Sequence, residues 1–141
     1  MTKIALAEPL VLKNATLKVA TDNYEAAVSE VSFVPTIPTS SVSFKGIDGS
    51  SYSKTTQQAS TWVCNLTYAQ YWTTVGSLSN YLHDNEGDDV TAEFVPEAGS
   101  GLPSFTATIT VQPGAIGGPT DAVLTASVSL PSTKPVKGTA A

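Results

Sequence analysis

An antiparallel β-sandwich or barrel, with one α-helix packed on its side or rim, is the fold class that this sequence predicts. Three observations point to it. Several short segments alternate apolar and polar side chains, the cleanest being Phe105, Ala107, Ile109 and Val111 against Thr106, Thr108, Thr110 and Gln112, and a period of two belongs to half-buried strands. Glycine- and proline-rich turns separate such segments, as at Pro96–Pro103 and Pro113–Pro119. Only one stretch, about residues 74–86, has the three-and-four spacing of a helix, through Val75, Leu78 and Leu82. Many strands and one helix bury their apolar faces by closing sheet on sheet, with the helix as a cover.

Taken in order, residues 1–8 mix apolar side chains without a clean period and are expected to form a flexible arm. Leu10–Leu12 is expected to pair at a sheet edge, because Pro9 cannot donate to a central ladder. Ala15, Leu17 and Val19 then alternate with Thr16 and Lys18. Asp22-Asn23 turns the chain into a strand over Tyr24–Pro35, where Ala26 and Val28 share one parity and Val31 and Phe33 the other. The shift at Ser29-Glu30 predicts a β-bulge, one inserted residue that re-aims the side chains after it. Pro35–Pro38 closes that strand, and Val42 and Phe44 make a short alternating piece.

Residues 46–59 are polar, contain two glycines and lack strong periodicity, which predicts a long loop with a functional role. Trp62, Cys64, Leu66 and Tyr68 then line one strand face. The helix comes next, capped by Thr73 or Thr74 and stopped at Gly87. Gly76 weakens it by about 1 kcal/mol relative to Ala, so it has to dock on the sheet through Leu78 and Leu82, with Trp62 or Phe94 as neighbours. Trp62, Trp72, Val75, Leu78 and Leu82 are therefore the expected structural keystone. Val90, Ala92 and Phe94 alternate in the next strand, and Leu124, Ala126, Val128 and Leu130 in the last. Residues from about 131 onward read as a flexible tail, and the whole 141-residue chain as one domain.

Composition narrows the function classes. Charged residues make up 13% of the chain, with net charge −5, and all seven basic residues are lysines. Affinity for nucleic acid comes chiefly from Lys and Arg against phosphate, so direct DNA or RNA binding is disfavoured. The single cysteine excludes an internal disulfide. No apolar run reaches the ~18 residues of a membrane span, and residues 1–8 are too short and too soon interrupted for a signal peptide, which leads one to expect a protein kept or assembled in a cytoplasm, without a membrane anchor.

Groups that carry catalysis are sparse. His83 stands alone near a helix end, where a positive imidazole would favour the carboxyl terminus, and Cys64 shares the parity of Leu66 as a small core residue. Asp84, Glu86, Asp88 and Asp89 fail the calcium-loop pattern: counted from Asp84, the sixth residue is Asp89 rather than Gly and the twelfth is Val95. Neither Gly99-Ser100-Gly101 nor Gly114–Gly118 enters a helix as a phosphate cradle would. The sequence thus predicts no enzyme, no cofactor and no metal site.

One ordered series of short pieces carries a family likeness. Trp62-Val63-Cys64-Asn65-Leu66-Thr67-Tyr68-Ala69-Gln70, Trp72, Gly76-Ser77-Leu78-Ser79-Asn80-Tyr81-Leu82 and Asn85-Glu86-Gly87 resemble the major tail (tail tube) proteins of long-tailed bacteriophages. The likeness continues through Val90–Val95, Ser104–Gln112, Pro113–Gly118 and Ala126–Leu130, covering about residues 60–135. Two departures stand out: Tyr71 precedes Trp72 where an acidic residue is expected, and Ser132–Ala141 is short, with no appended immunoglobulin-like domain. The resemblance implies a structural virion protein that forms six-membered rings stacked into the hollow tail tube through which DNA passes. Its implied partners are further copies of itself and the tape measure, tail terminator and tail-tip proteins, with assembly in the host cytoplasm.

A β-domain that meets its neighbours edge to edge can close a ring, and a head-to-tail contact then propagates it. Within residues 46–59, Ile47, Asp48, Tyr52 and Lys54 are the candidates for contact with a neighbouring subunit. A conduit for DNA must not hold its phosphates, so Glu30, Glu93 and Asp121 are candidates for an acidic inner wall. The alternative is an immunoglobulin-like or carbohydrate-binding β-sandwich module within a larger complex.

Overall fold

The computed structural model describes residues 1–141. Its elements are β1 (Thr16–Val19), β2 (Asp22–Asn23), β3 (Val28–Thr36), β4 (Thr39–Lys45), β5 (Ser51–Gln57), β6 (Thr61–Ala69), α1 (Leu78–Asp84), β7 (Asp89–Val95), β8 (Pro103–Thr110), β9 (Thr125–Ser132) and β10 (Val136–Thr139). The fold is mainly β, antiparallel and sandwich-like, with one helix. Eight strands form one sheet, β2-β1-β7-β8-β9-β6-β3 with β10 also on β8, and β4-β5 make a separate two-stranded sheet.

The large sheet folds over on itself at the β8/β9 junction. There only Ile109 and Ser132 are in register, helped by the Thr133 N–H to Thr108 O at 3.0 Å. Elsewhere the ladders run long, Thr61–Thr36 through Tyr68–Val28 between β6 and β3 and Trp62–Ser132 through Ala69–Thr125 between β6 and β9. The chain leaving β9 therefore crosses from one layer to the other and pairs as β10 with the first half of β8. Such a strand that switches sheets makes the corner of a sandwich. The tail that the sequence left unpaired is in fact this corner strand, its backbone satisfied by β8.

Period two sorts the side chains. From β6 and β9, Cys64, Leu66, Tyr68, Ala126, Val128 and Leu130 point inward, and from the other layer come Leu17, Val19, Ala92, Ala107 and Ile109; all are buried, most in one cluster. The parity shift in β3 is a register break between Val28 and Glu30, which leaves Ser29 as the extra residue and returns Val31 and Phe33 to the core side. Pro35 lies inside β3 rather than ending it, opposite Trp62. A proline is admissible there because β3 is an edge strand with no partner on its other side.

The helix is shorter than the apolar spacing suggests, and it begins later. Ser77, not Thr73 or Thr74, is the N-cap, its hydroxyl accepting from the Asn80 N–H at 3.4 Å. Tyr71–Gly76 is held as a loop by the helix itself: Ser79 Oγ accepts from the Tyr71 N–H at 3.2 Å, and Asn80 Nδ2 donates to the carbonyls of Trp72 and Thr74 at 3.1 and 2.7 Å. Side chains that bond nearby backbone compete with helix in this way. Val75 consequently lies before the cap and is 93% exposed, whereas Leu78 and Leu82 are 2% and 1% exposed within the core cluster. Residues 1–13 carry no strand, so Leu10–Leu12 does not pair at an edge and stays exposed.

Burial has an acid–base consequence. Desolvation pushes the Cys64 thiol up to about 12, and raises the phenols of Tyr68, Tyr24 and Tyr81 above their ordinary value. For Tyr24 the nearby Asp22 charge adds to it. In each case the folded chain favours the protonated form more than the unfolded chain does, so this stability is complete below the unfolded pKa values and is lost as pH rises through the folded ones. Thermal melts should be flat from pH 6 to about 8.5 and fall steadily toward pH 11. A melting temperature unchanged at pH 11 would show these groups to be hydrated.

Candidate interaction surface

The residues most open to a partner are on the β4–β5 hairpin. Residues 46–59, expected as a loop, hold a five-residue turn and the whole of β5, paired in register with β4 from Thr39–Gln57 to Lys45–Ser51. The turn is built locally. Gly46 N–H donates to Ser50 O at 2.7 Å and Gly49 N–H to Gly46 O at 3.0 Å, with Gly49 at φ +91°, a backbone state that glycine adopts without strain. Asp48 Oδ1 accepts from the Ser50 hydroxyl at 2.6 Å and its N–H at 3.0 Å, and these bonds, the hydroxyl first, hold the Asp48 carboxyl below its ordinary pKa.

Register divides the hairpin into two unlike faces. Val42, Phe44, Tyr52 and Lys54 share one face, with Phe44 directly opposite Tyr52 and Val42 opposite Lys54. Ser41, Ser43, Ser53 and Thr55 share the other, where the Ser41 and Thr55 hydroxyls are 3.1 Å apart. Every residue of both strands is exposed, including Phe44 at 71%, and Ile47 stands free at the tip. No other strand pairs with it. A two-stranded hairpin alone is marginal in water, and an apolar stripe that covers nothing in its own chain is a candidate contact surface. Of the four contact candidates, Tyr52 and Lys54 lie on this stripe, and Ile47 and Asp48 form the tip.

The candidates for an acidic wall are not brought together. Glu30 is opposite Thr67 on the outer face of the β9-β6-β3 layer. Glu93 is opposite Lys18 and Thr106 on the outer face of the β1-β7-β8 layer. These faces point away from each other across the core, so one wall cannot hold both. Asp121 is in the loop before β9, at φ +58°. The outer face of β9-β6-β3 carries no lysine: Thr67 Oγ1 and Ser127 Oγ are 3.0 Å apart and Ser129 Oγ donates to Asn65 Oδ1 at 2.6 Å, beside an apolar row of Val34, Val63 and Pro131.

The two tryptophans are half-buried and internally satisfied. Trp62 Nε1 donates to Ser60 Oγ at 3.1 Å, and Trp72 Nε1 to Gln70 Oε1 at 3.3 Å. Trp62 sits at the end of its strand and is not part of the core cluster that holds Leu78 and Leu82. His83, exposed in the last helical turn, meets Trp72 edge-on at 6.1 Å between ring centroids.

Gln70 is an organising residue that strand and helix periodicity did not single out. It is buried just past β6, its Nε2 donates to the carbonyls of Gly117 and Thr125 at 3.0 and 2.9 Å, and its Oε1 accepts from the Gly117 N–H at 3.0 Å. One side chain thereby ties the loop between β8 and β9 to the β6 layer. Gly114 fixes the same loop by contact, since a Cβ there would collide with the Tyr68 hydroxyl and meet Ala126 Cβ at 3.4 Å. Gly114→Ala is expected to cost about 1–3 kcal/mol in urea melts, as overpacking does. Adding Tyr68→Phe should recover part of that loss, and no recovery would mean that the clash lies elsewhere.

No protein-family model matches this chain, and no curated protein is similar to it.

Proposed function

We propose that this chain is the subunit of a self-assembling tube, a tail tube protein of a long-tailed bacteriophage that forms stacked rings around a DNA conduit. The observation that carries the proposal is the β4–β5 hairpin, whose Val42, Phe44 and Tyr52 cover nothing in their own subunit. The ordered pieces across residues 60–135 supply the family, and the free edge of β3 offers backbone for pairing between subunits. The lysine-free outer face of β9-β6-β3 is the wall best suited to the lumen, because it offers phosphates no cation to pair with. The carbohydrate-binding alternative is weakened by the tryptophans, whose ring N–H groups are engaged inside the chain.

Negative-stain microscopy of the concentrated protein, with and without an initiating tail-tip complex, tests the reading. Hollow rings or tubes are expected. Discrete monomers under both conditions would overturn it. In assembled tubes, Ser129→Lys should leave ring formation intact and slow DNA release, since it repeats a phosphate-binding charge around every ring. Release at the normal rate would place that face outside.

A further inference from the structure

The large sheet is open between its two terminal regions, β1 with its β7 neighbour on one side and the edge strand β3 on the other. At that opening lies a cleft of about 160 Å³, lined by Leu17, Val28, Val31 and Phe94 with Glu25 and Glu30 among the polar residues. It sits beside the Ser29 bulge, where the β3 ladder is interrupted. An apolar cavity of about 150 Å³ accommodates one benzene ring, so the cleft has the capacity for a single aromatic side chain. Its lining carries the carboxylates of Glu25 and Glu30 against the one ammonium of Lys13, an excess of negative charge, with Glu25 Oε2 also accepting from the Leu17 N–H at 3.5 Å.

We infer that this cleft receives the Phe44 ring of the β4–β5 hairpin of a second copy, with Lys54 beside the Glu30 carboxylate. The match has three parts. Phe44 is an exposed aromatic on a stripe that covers nothing, the cleft has the volume of one ring, and Lys54 lies on the same hairpin face as Phe44, diagonal to it in the register. The chain's own hairpin does not fill the cleft, since Phe44 is 71% exposed and no residue of β4 or β5 is among the lining. It springs from the far end of β3, after Thr36, while the cleft is at the Val28–Val31 end, and the nine residues of β3 separate the two by about 26 Å at ~3.3 Å per residue. Donor and acceptor at opposite ends of one strand make the contact head-to-tail, the kind that closes rings or extends filaments. This inference rests on the self-assembly reading and names the surface that would serve it.

The experiment mixes two full-length variants, each crippled at one half of the contact. Phe44→Asp removes the donor and leaves the cleft intact, while Ser29→Arg combined with Glu30→Lys blocks the cleft and leaves the hairpin intact. All three positions are exposed, and an unchanged near-ultraviolet circular dichroism spectrum checks that each variant is folded. By sedimentation velocity, each variant alone should need at least a tenfold higher concentration than wild type to assemble. An equimolar mixture should form a 1:1 dimer and stop, because the intact hairpin of one enters the intact cleft of the other and both remaining halves are dead. Assembly of either variant at the wild-type concentration, or a mixture that stays monomeric where wild type assembles, overturns the pairing while leaving the tube reading intact. A wild-type chain monomeric to millimolar concentration also overturns the pairing, and the tube reading is then decided by microscopy with the initiating complex.

Discussion

Leu82→Ala is expected to lower the unfolding free energy by about 2–5 kcal/mol, the cost of emptying a well-packed core position. Leu82 is 1% exposed in the cluster that joins both layers of the sandwich. The loss should sit toward the upper end because α1 is only seven residues long and does not persist without its packed face. Loosening it also frees Asn80, whose amide holds the Trp72 and Thr74 carbonyls. Against a total of about 5–15 kcal/mol for a domain of this kind, that is a large fraction. Val75→Ala is the matched control. Its exposed side chain lies outside the helix, so the change should fall within about 0.5 kcal/mol. Urea melts of both variants decide the point, and a loss below about 1 kcal/mol for Leu82→Ala would mean that the helix does not dock through that residue.

Replacing Gln70 should expose how the β8–β9 connection is held. Gln70→Leu keeps the size of the side chain but leaves the Trp72 ring N–H, the Gly117 N–H and the carbonyls of Gly117 and Thr125 without their partner. Unpaired groups of this kind cost about 1–3 kcal/mol when buried, and hydrogen exchange at Gly117 should speed up. Gln70→Glu is the sharper test. Its Oε1 can still accept from Trp72 and Gly117, but its second oxygen would face two carbonyl oxygens with no proton between them. Burial and those dipoles raise the folded pKa of the new carboxyl above its unfolded value of about 4.3. The protonated form is therefore tolerated below the unfolded pKa, and stability is lost as pH rises through the folded pKa. The deficit against wild type should be small at pH 4 and grow to about 1–3 kcal/mol at pH 8, the cost of setting a buried charged oxygen against two carbonyls. Equal deficits at both pH values would show that solvent reaches Gln70.

The strand faces were legible from the chain alone wherever one face is buried. Cys64, Leu66 and Tyr68, then Ala126, Val128 and Leu130, then Leu17 and Val19, alternate in sequence as they do in space, because burying one side of a pleated strand imposes a period of two. Even the Ser29 bulge showed as a change of parity, since the residues after it had to return to the same core. Composition alone also set the sign of the surface, with more carboxylates than lysines.

Features without a buried face, or with distant partners, were not legible in the chain alone. β5 is hidden in the sequence because Ser51–Gln57 is exposed on both sides, so nothing selects an apolar period, and only its ladder with β4 makes it a strand. The helix start shifted to Ser77 because Ser79 and Asn80 bond the preceding loop, a competition that helical spacing does not record. Gln70 looked like an ordinary polar residue after a strand, and its role depends on Gly117 and Thr125, brought within 3.0 Å of it by the closing of the sheet. The two halves of the proposed contact likewise took their meaning from placement: Phe44 from a hairpin that covers nothing, and the Glu25–Glu30 cleft from a sandwich left open at one seam. Local periodicity determined which side each strand buries. Long-range closure determined which groups were left over to bind.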